Sequence, residues 1–261
     1  MEKTYRVPEA TLFATPLPME TRTYKPVSHK EIADTTLESI HKAGFKLDKQ
    51  EYSSAQDGMI ANARYTISDV ADSEMQLEIG WQNSYNKTLS LKYAIGASIF
   101  ICANGCVSGD LGSFKRKHTG DVKDFAPAQM IASIKKSGET FKEIQMQRDA
   151  LKEIEINRKT RAELIGRMFI EQELITSTQL NIIKNELKSP TFDYECADSL
   201  WELYNYTTFA MKELHPRLWL SDHINVHKFF TETIDLTIPK IILEPSGFSS
   251  ESIVDPAQIS I

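Results

Sequence analysis

Residues 83–120 read NSYNKTLSLKYAIGASIFICANGCVSGDLGSFKRKHTG and decide the fold class. The run that begins at Leu89 becomes apolar on both faces near Ile99, which is typical of a strand in the interior of a sheet. It ends in Cys102-Ala103-Asn104-Gly105-Cys106, and a polar, basic loop that carries His118 follows. We therefore expect a long strand over residues 89–102 with the densest polar cluster of the chain at its end.

Three shorter strands precede this one and complete an antiparallel meander. Residues 45–53 and 59–68 flank Asp57-Gly58, a dipeptide that is typical of hairpin turns. Within 59–68 apolar and more polar residues alternate, as a strand with one buried face requires. Residues 75–81 show the same alternation and form the third strand.

Helices flank the meander on both sides. Ser28 and Glu31 predict a capping box at the start of a helix that ends at Gly44. A long helix is expected from about residue 124, and the charged stretch 145–163 either continues it or forms a second helix. The fold class is therefore α+β: an antiparallel β-meander with a preceding helix in the N-terminal half, and a mainly helical C-terminal half. Further helices are expected at 177–187, 194–214 and 222–234.

The chain divides into four regions. Residues 1–27 contain four prolines and form an extended N-terminal arm, whose apolar residues suggest docking on its own core or on a neighbouring subunit. Residues 28–125 form the helix and the antiparallel sheet. Residues 126–238 form a helical region packed on the same core, since no Gly/Ser-rich linker separates the two halves. Residues 239–261 are rich in Pro and Ser and form a flexible tail.

Composition limits the classes of protein that the chain can belong to. Hydrophobic residues make up 41% and charged residues 25%, as in ordinary globular proteins. No apolar run reaches the roughly 18 residues that a membrane span requires. The N-terminal residues lack the apolar core of a signal peptide, and three cysteines do not make a disulfide framework, so we expect a cytoplasmic protein. The net charge of −6 weighs against a dedicated nucleic-acid binder but leaves room for a local basic patch.

Four short motifs carry a resemblance to a known family. They are Asn83-Ser84-Tyr85, Cys102-x-Asn104-Gly105, His118-Thr119-Gly120 and Trp201-x-x-Tyr204-Asn205-x-x-Thr208. In this order they resemble a family of phage- and plasmid-related proteins catalogued as a domain of unknown function, over most of residues 24–210. The resemblance implies carriage by a phage or plasmid and action inside a bacterial host cell, and it implies no established activity. Family members commonly have Gly or Asp near Asn86, where this chain has Asn86-Lys87.

The basic run Lys115, Arg116, Lys117 and His118 is the first candidate site. It lies between Gly112 and Gly120, so we expect a mobile loop. Such a loop either contacts the phosphates of a nucleic acid or is simply solvated, as most short basic runs are.

Asn104-Gly105 is either simply a turn in which Asn and Gly tolerate positive φ or a turn that presents backbone N–H groups to an anion. On the second interpretation Asn83, Asn104 and Gly105 form a candidate anion or ligand site. Cys102 and Cys106 lack two further ligands at zinc-site spacing, so small buried side chains are the favoured interpretation.

Two helical patterns have ordinary structural interpretations. His223 and His227 lie four residues apart on one helix face, but no Glu follows the first His as metallopeptidases require. A polar helix face is the favoured interpretation, and we expect no metal and no cofactor. Trp201, Tyr204 and Thr208 are expected in the core, with Asn205 making a buried hydrogen bond that fixes its helix against the sheet.

Three functions are compatible with these patterns. The first is a non-catalytic protein that binds nucleic acid, in particular single-stranded DNA, in replication or recombination. It rests on the basic run, on an arm suited to a homo-oligomer, and on a helix–meander–helix order that is similar to single-strand-annealing recombinases only as a topological analogy. The second is a protein-interaction module or inhibitor directed at a host defence protein, which the acidic net charge favours.

The third function is an enzyme with His118 as acid–base catalyst. The sequence offers no partner carboxylate and no nucleophile for it. Common signatures such as a P-loop, a dinucleotide-binding glycine pattern or a Gly-x-Ser-x-Gly elbow are missing from the sequence. The sequence therefore favours a function without catalysis.

Overall fold

A computed structural model gives the fold and describes residues 5–99, 105–107, 113–194, 196–212 and 214–243, with backbone alone at 105–107 and 235–243. The strands are β1 Leu47–Ala55, β2 Ile60–Ala71, β3 Met75–Ser84, β4 Leu91–Ile99, β5 Gly105–Val107 and β6 Phe114–Arg116. The helices are α1 Glu9–Phe13, α2 His29–Lys42, α3 Val122–Glu153, α4 Arg158–Gly166, α5 Ser177–Glu186, α6 Leu200–Ala210 and α7 Trp219–Leu243, with a π-helical turn Arg167–Glu171 after α4.

The sheet is antiparallel, and its strands follow the order β1-β2-β3-β4. Both short strands pair with the remaining edge of β4, β5 near its end and β6 near its start. The predicted fold class, a helix and an antiparallel meander followed by a helical half, is confirmed. The predicted strand over residues 89–102 is shorter, since β4 covers Leu91–Ile99 and residues 100–102 lie outside the described part.

One face of the sheet is the core face. Tyr65 of β2, Trp81 of β3 and Tyr93 of β4 are buried there, and buried apolar side chains from Leu12 to Ile234 form one continuous cluster with them. Such alternation of side chains between two faces is what places every second residue of each strand in the core.

The opposite face carries a row of polar side chains that crosses the sheet. We call this set the polar row, and its members stand directly opposite one another on neighbouring strands. They are Ser53, Asn62, Gln82, Lys92 and Lys115. The segment that leads into α7 lies over this row. Its Pro216 carbonyl accepts a hydrogen bond from Asn62 Nδ2 at 2.9 Å and another from Gln82 Nε2.

Trp219 anchors the same segment to the sheet. A Cβ atom added to Gly80 would come within 3.1 Å of the Trp219 ring, so any larger residue would require the ring to shift by a few tenths of an ångström.

The C-terminal half decides between two alternatives and corrects two expectations. Of the two alternatives for the charged stretch 145–163, the second helix is confirmed, because α3 ends at Glu153 and the Asn157 side chain caps a separate α4. The helix expected at 194–214 is the shorter α6, which begins after its cap Ser199. The last helix runs on to Leu243, so residues 239–243 are helical rather than tail, because the apolar pattern continues past Pro239. Residues 244–261 lie outside the described part.

The N-terminal arm is not wholly extended. Pro8 occupies the N-cap position of α1, where the missing N–H of proline removes no intrahelical hydrogen bond, so the prolines did not prevent a short helix at Glu9–Phe13. The backbone N–H of Val7 donates to the Tyr52 carbonyl at 3.0 Å, and the backbone N–H of Ser54 donates to the Tyr5 carbonyl at 2.8 Å. The arm therefore docks on its own chain and covers the exposed edge of β1.

Within the described residues, no helix combines the length and the apolar character that crossing a membrane requires.

Candidate functional site

The basic run does not form the expected mobile loop. Phe114–Arg116 is strand β6, in which Phe114 stands opposite Tyr93 and Arg116 opposite Leu91. The Phe114 ring stacks on that of Tyr93 with 5.6 Å between the ring centroids. Pairing with β4 and this stacking fix the run in place, a long-range effect that its polar sequence does not reveal.

His118 is buried, with 5% of its surface exposed, and is not a solvated part of the run. Its Nε2 atom lies 2.6 Å from Oδ1 of Asn83, which joins two of the motifs of the family resemblance. The backbone N–H of Lys25 donates to the His118 carbonyl at 2.8 Å, so the N-terminal arm also closes over this residue.

The Asn83 side chain is the centre of a buried hydrogen-bond network. Its Nδ2 atom donates to the Val27 carbonyl at 2.9 Å and contacts His29 Nδ1 at 3.0 Å. Since Nδ2 can only donate, His29 Nδ1 accepts, and His29 Nε2–H donates to the Gly58 carbonyl at 2.9 Å. By the same logic Asn83 Oδ1 accepts from His118 Nε2–H.

Tyr85 completes the network beside His29. The two rings stack with centroids 3.8 Å apart, and the Tyr85 hydroxyl accepts the backbone N–H of His29 at 2.8 Å. The Tyr24 hydroxyl in turn donates to the Tyr85 carbonyl at 3.0 Å. The Asn83-Ser84-Tyr85 motif therefore ties the start of α2, the arm and the His118 segment to the end of β3.

Burial determines the charge of this network. It lowers the pKa of His29 to about 4 and lowers the pKa of His118 below its ordinary value. Both imidazoles are therefore neutral at neutral pH, and His118 adds no positive charge to the basic run. Its described contacts support a positioning role for His118.

The cations around His118 fall into two groups. In the first group, Arg116 forms an ion pair with Asp121, and its guanidinium carbon lies 4.5 Å from the centroid of the Phe125 ring. Lys25 and Lys123, also in this group, both form ion pairs with Glu20. A second group forms no ion pair with the described residues, and we call it the lysine edge. It consists of Lys87, Lys92, Lys115 and Lys117.

A groove of about 300 Å³ lies beside His118, between the turn after β3 and the segment after β6. Lys87 and Lys117 line it, and Lys87 Nζ lies 4.7 Å from the centroid of the Tyr24 ring. Hydroxyl groups of Thr23, Thr88, Ser90 and Thr119 also line it.

Lys92 and Lys115 stand directly opposite each other across β4 and β6. Lys115 is exposed and Lys92 is half-buried. Burial and the neighbouring Lys115 lower the pKa of Lys92, against the opposite effect of Asp222 in α7. Like charges in such a pair destabilise a sheet unless an anion binds between them.

Several predicted residues are not brought into this site. Cys102 and Asn104 lie outside the described residues, and of Gly105 and Cys106 only the backbone in β5 is described. The anion site predicted at Asn83, Asn104 and Gly105 thus stays a prediction. In the described part of the chain, no group of three or more His, Cys, Asp or Glu side chains is arranged to hold a metal ion.

The expectation of a polar face at His223 and His227 is wrong, because α7 is packed on both sides. His223 Nδ1 lies 2.9 Å from the Trp219 carbonyl. His227 lies against Tyr204 Oη at 3.3 Å and Gln147 Oε1 at 3.0 Å, and both rings are buried.

Trp201, Tyr204, Asn205 and Thr208 are all buried. The Asn205 side chain donates to the Trp201 carbonyl of its own helix at 2.9 Å. This bond lies within α6, so the expected hydrogen bond from Asn205 that fixes α6 against the sheet stays a prediction.

Sequence reasoning missed Lys87, Lys92 and His29. Lys87 has a positive φ of 64° in the turn after β3, the position at which the family resemblance showed a departure. Lys92 could have been found from the alternation of β4, which places it on the polar face, but its partner Lys115 depends on the unpredicted strand β6.

Comparison with known proteins identifies a family and no activity. A family model described as "Domain of unknown function (DUF932)" matches residues 16–216, which is more than half of the chain. The chain therefore belongs to this family, and the matched region includes the sheet, Asn83, His118 and α6. No curated protein and no solved structure matches the chain.

Proposed function

We propose that this member of the DUF932 family binds the phosphate backbone of nucleic acid, in particular single-stranded DNA, along the lysine edge, and that it does so without catalysis. The observation that carries the proposal is the direct opposition of Lys92 and Lys115 across β4 and β6. Phosphate between the two side chains would turn a repulsive pair into a favourable one.

The groove beside this pair extends the proposed binding surface. Lysines bind phosphate as point charges, and hydroxyl groups donate to phosphate oxygens. Lys87 and Lys117 of the groove offer the first kind of group, and Thr23, Ser90 and Thr119 offer the second. The Thr88 hydroxyl already donates to Asn86 Oδ1 at 2.6 Å. Contacts with the lysines and the remaining hydroxyl groups would be made by the nucleic-acid backbone rather than by base edges, so we expect little sequence preference.

The order of elements gives secondary support. A helix, an antiparallel meander and a long helix follow one another as α2, β1–β4 and α3. Single-strand-annealing recombinases have a comparable order, which is an analogy of topology and not evidence of shared activity. Together with the resemblance to phage- and plasmid-related proteins, it leads us to propose a role in replication or recombination of a mobile element.

A pair of double variants tests the proposal. Lys115→Ala/Lys117→Ala removes two charges from the lysine edge, and Lys135→Ala/Lys136→Ala removes two exposed charges from α3 as a matched control. Binding of each protein to a fluorescein-labelled oligo-dT strand is measured by anisotropy across a salt series.

The edge variant should bind on the order of tenfold more weakly at low salt, with a log–log salt slope flattened by about 0.7 for each lost phosphate contact. The control should keep both the affinity and the slope. Equal effects of the two variants, or no binding by the unmodified protein at low salt, would contradict the proposal.

A further inference from the structure

The exposure of the polar row changes along its length. Lys115 is exposed and Lys92 is half-buried, whereas Gln82 and Asn62 are 0% and 2% exposed. At the far end the row emerges again, because Ser53 is half-buried and lines a cavity of about 180 Å³ on the same face of the sheet. The row is therefore accessible at both ends and closed in its middle.

Residues 214–218 close the middle of the row, and we call them the strap. The Pro216 carbonyl accepts hydrogen bonds from Asn62 Nδ2 at 2.9 Å and from Gln82 Nε2. Gln82 Nε2 also donates to the Arg217 carbonyl at 3.1 Å. The two carboxamide groups thus hold the strap on the sheet through its backbone.

The side chains of the strap are only partly covered. Pro216 is buried, whereas Leu218 is 44% exposed and the other three residues are half-buried or exposed. The His215 ring contacts the Tyr5 ring of the arm, with 5.1 Å between the ring centroids. Lifting the strap would therefore expose little apolar surface, and Trp219, the first residue of α7, would remain as its hinge-side anchor on Gly80.

The closed strap leaves two buried acceptors without a partner. Asn62 Oδ1 and Gln82 Oε1 have no hydrogen-bond partner within the described residues. Such an acceptor loses the hydrogen bonds that water would make with it, so both oxygens raise the free energy of the closed arrangement. Apolar side chains would suit a permanently covered face better, whereas carboxamides suit a face that opens to water.

We propose that a bound single strand displaces the strap and continues from the lysine edge along the polar row as far as Ser53. Opening frees the Nδ2 and Nε2 groups of Asn62 and Gln82, which then donate to phosphate oxygens as amide side chains commonly do. The proposal rests on the proposed function and adds a gated inner part to the same binding surface. Because opening accompanies binding, its free energy lowers the apparent affinity for the strand.

Limited trypsin digestion, read by mass spectrometry, tests the opening. Trypsin cleaves after Arg217, which lies in the strap, and cleavage within a folded protein follows the population of the open form. We expect saturating oligo-dT to speed release of the fragment that ends at Arg217 severalfold. Arg217→Gln is the control and should abolish this fragment.

The same digestion separates the failure of this proposal from that of the proposed function. Binding of oligo-dT, measured by anisotropy, with an unchanged or slower cleavage after Arg217 would overturn the strap and leave binding at the lysine edge intact. No binding of oligo-dT at low salt would contradict both proposals.

A matched pair of variants tests how far the strand extends. Ser53→Glu places a negative charge at the far end of the polar row, and Ser68→Glu adds the same charge at an exposed position of β2 outside the row. We expect Ser53→Glu to weaken oligo-dT binding severalfold, because a carboxylate repels phosphate, and Ser68→Glu to leave it nearly unchanged. Equal affinities of the two variants would overturn the path along the polar row.

Discussion

At the scale of single residues, the Asn83 side chain connects segments that are distant in the sequence. It holds the Val27 carbonyl, the ring of His29 and the ring of His118, the last of them 35 positions away. Asn83 and its three partner residues are buried, so water cannot replace the hydrogen bonds between them. This makes Asn83 a structural requirement of the groove beside the lysine edge.

Asn83→Ala should therefore lower the free energy of unfolding by about 2–4 kcal/mol, because it leaves buried groups of three segments without a partner. Asn86→Ala, in the half-buried turn three residues later, is the control and should cost less than about 1 kcal/mol. Urea denaturation followed by circular dichroism measures both. A loss below that of the control would show that water or a rearrangement satisfies the network.

Stability should also fall on acidification through the window from about pH 6.5 to pH 4. Burial lowers the pKa of His29, His223 and His227 to about 4 each, whereas the unfolded chain keeps the ordinary value of about 6.5. The unfolded state thus binds more protons in this window, so the stabilisation is complete above pH 6.5 and is lost as the pH falls towards 4. Each ring contributes on the order of 3 kcal/mol.

Denaturation curves at successive pH values check this prediction. His29→Gln should flatten the dependence by roughly a third of the contribution of His29, His223 and His227, because one of these three rings no longer titrates. A free energy of unfolding that stays constant from pH 7 to pH 5 would contradict the prediction.

Residue-level reasoning from sequence could select Asn83 and His118 but not their environment. A histidine that follows three cations is expected to be solvated, and the contact that buries it comes from β3. No local pattern carries that information, since the register of β3 and the position of β6 together create the contact.

At the scale of elements, the strands of the meander were predictable because their alternation is local. Strand β6 was not, because three residues form a strand only when a neighbour such as β4 supplies the hydrogen bonds. The same reason explains the polar row. Each polar residue could be assigned to a face, whereas the alignment of the row depends on the register between strands.

Two glycines give a matched test of the helix boundaries. Gly138 lies inside α3 with open space around it, so Gly138→Ala should raise the free energy of unfolding by about 0.5–1 kcal/mol. Gly44 follows α2 with a positive φ of 80° and equally open space, so Gly44→Ala should lower it by about 1–2 kcal/mol. Thermal or urea unfolding measures both, and effects of the same sign would contradict the assigned backbone.

At the scale of the whole molecule, charge is distributed unevenly over an acidic chain. The net charge is −6, yet the lysines at one edge of the sheet have no ion-pair partner within the described residues. Composition alone favoured a partner other than nucleic acid, because an average hides the local arrangement. The fold creates the lysine edge by joining the turn after β3, strand β4 and strand β6, which are separated in the sequence.

Protection of lysines from an amine-reactive reagent, measured by mass spectrometry with and without single-stranded DNA at low salt, tests the central claim most directly. The proposed function predicts that DNA slows modification of Lys87, Lys115 and Lys117 severalfold and leaves Lys135 and Lys136 of α3 unchanged. Equal protection of the two sets, or protection confined to α3, would contradict binding at the lysine edge.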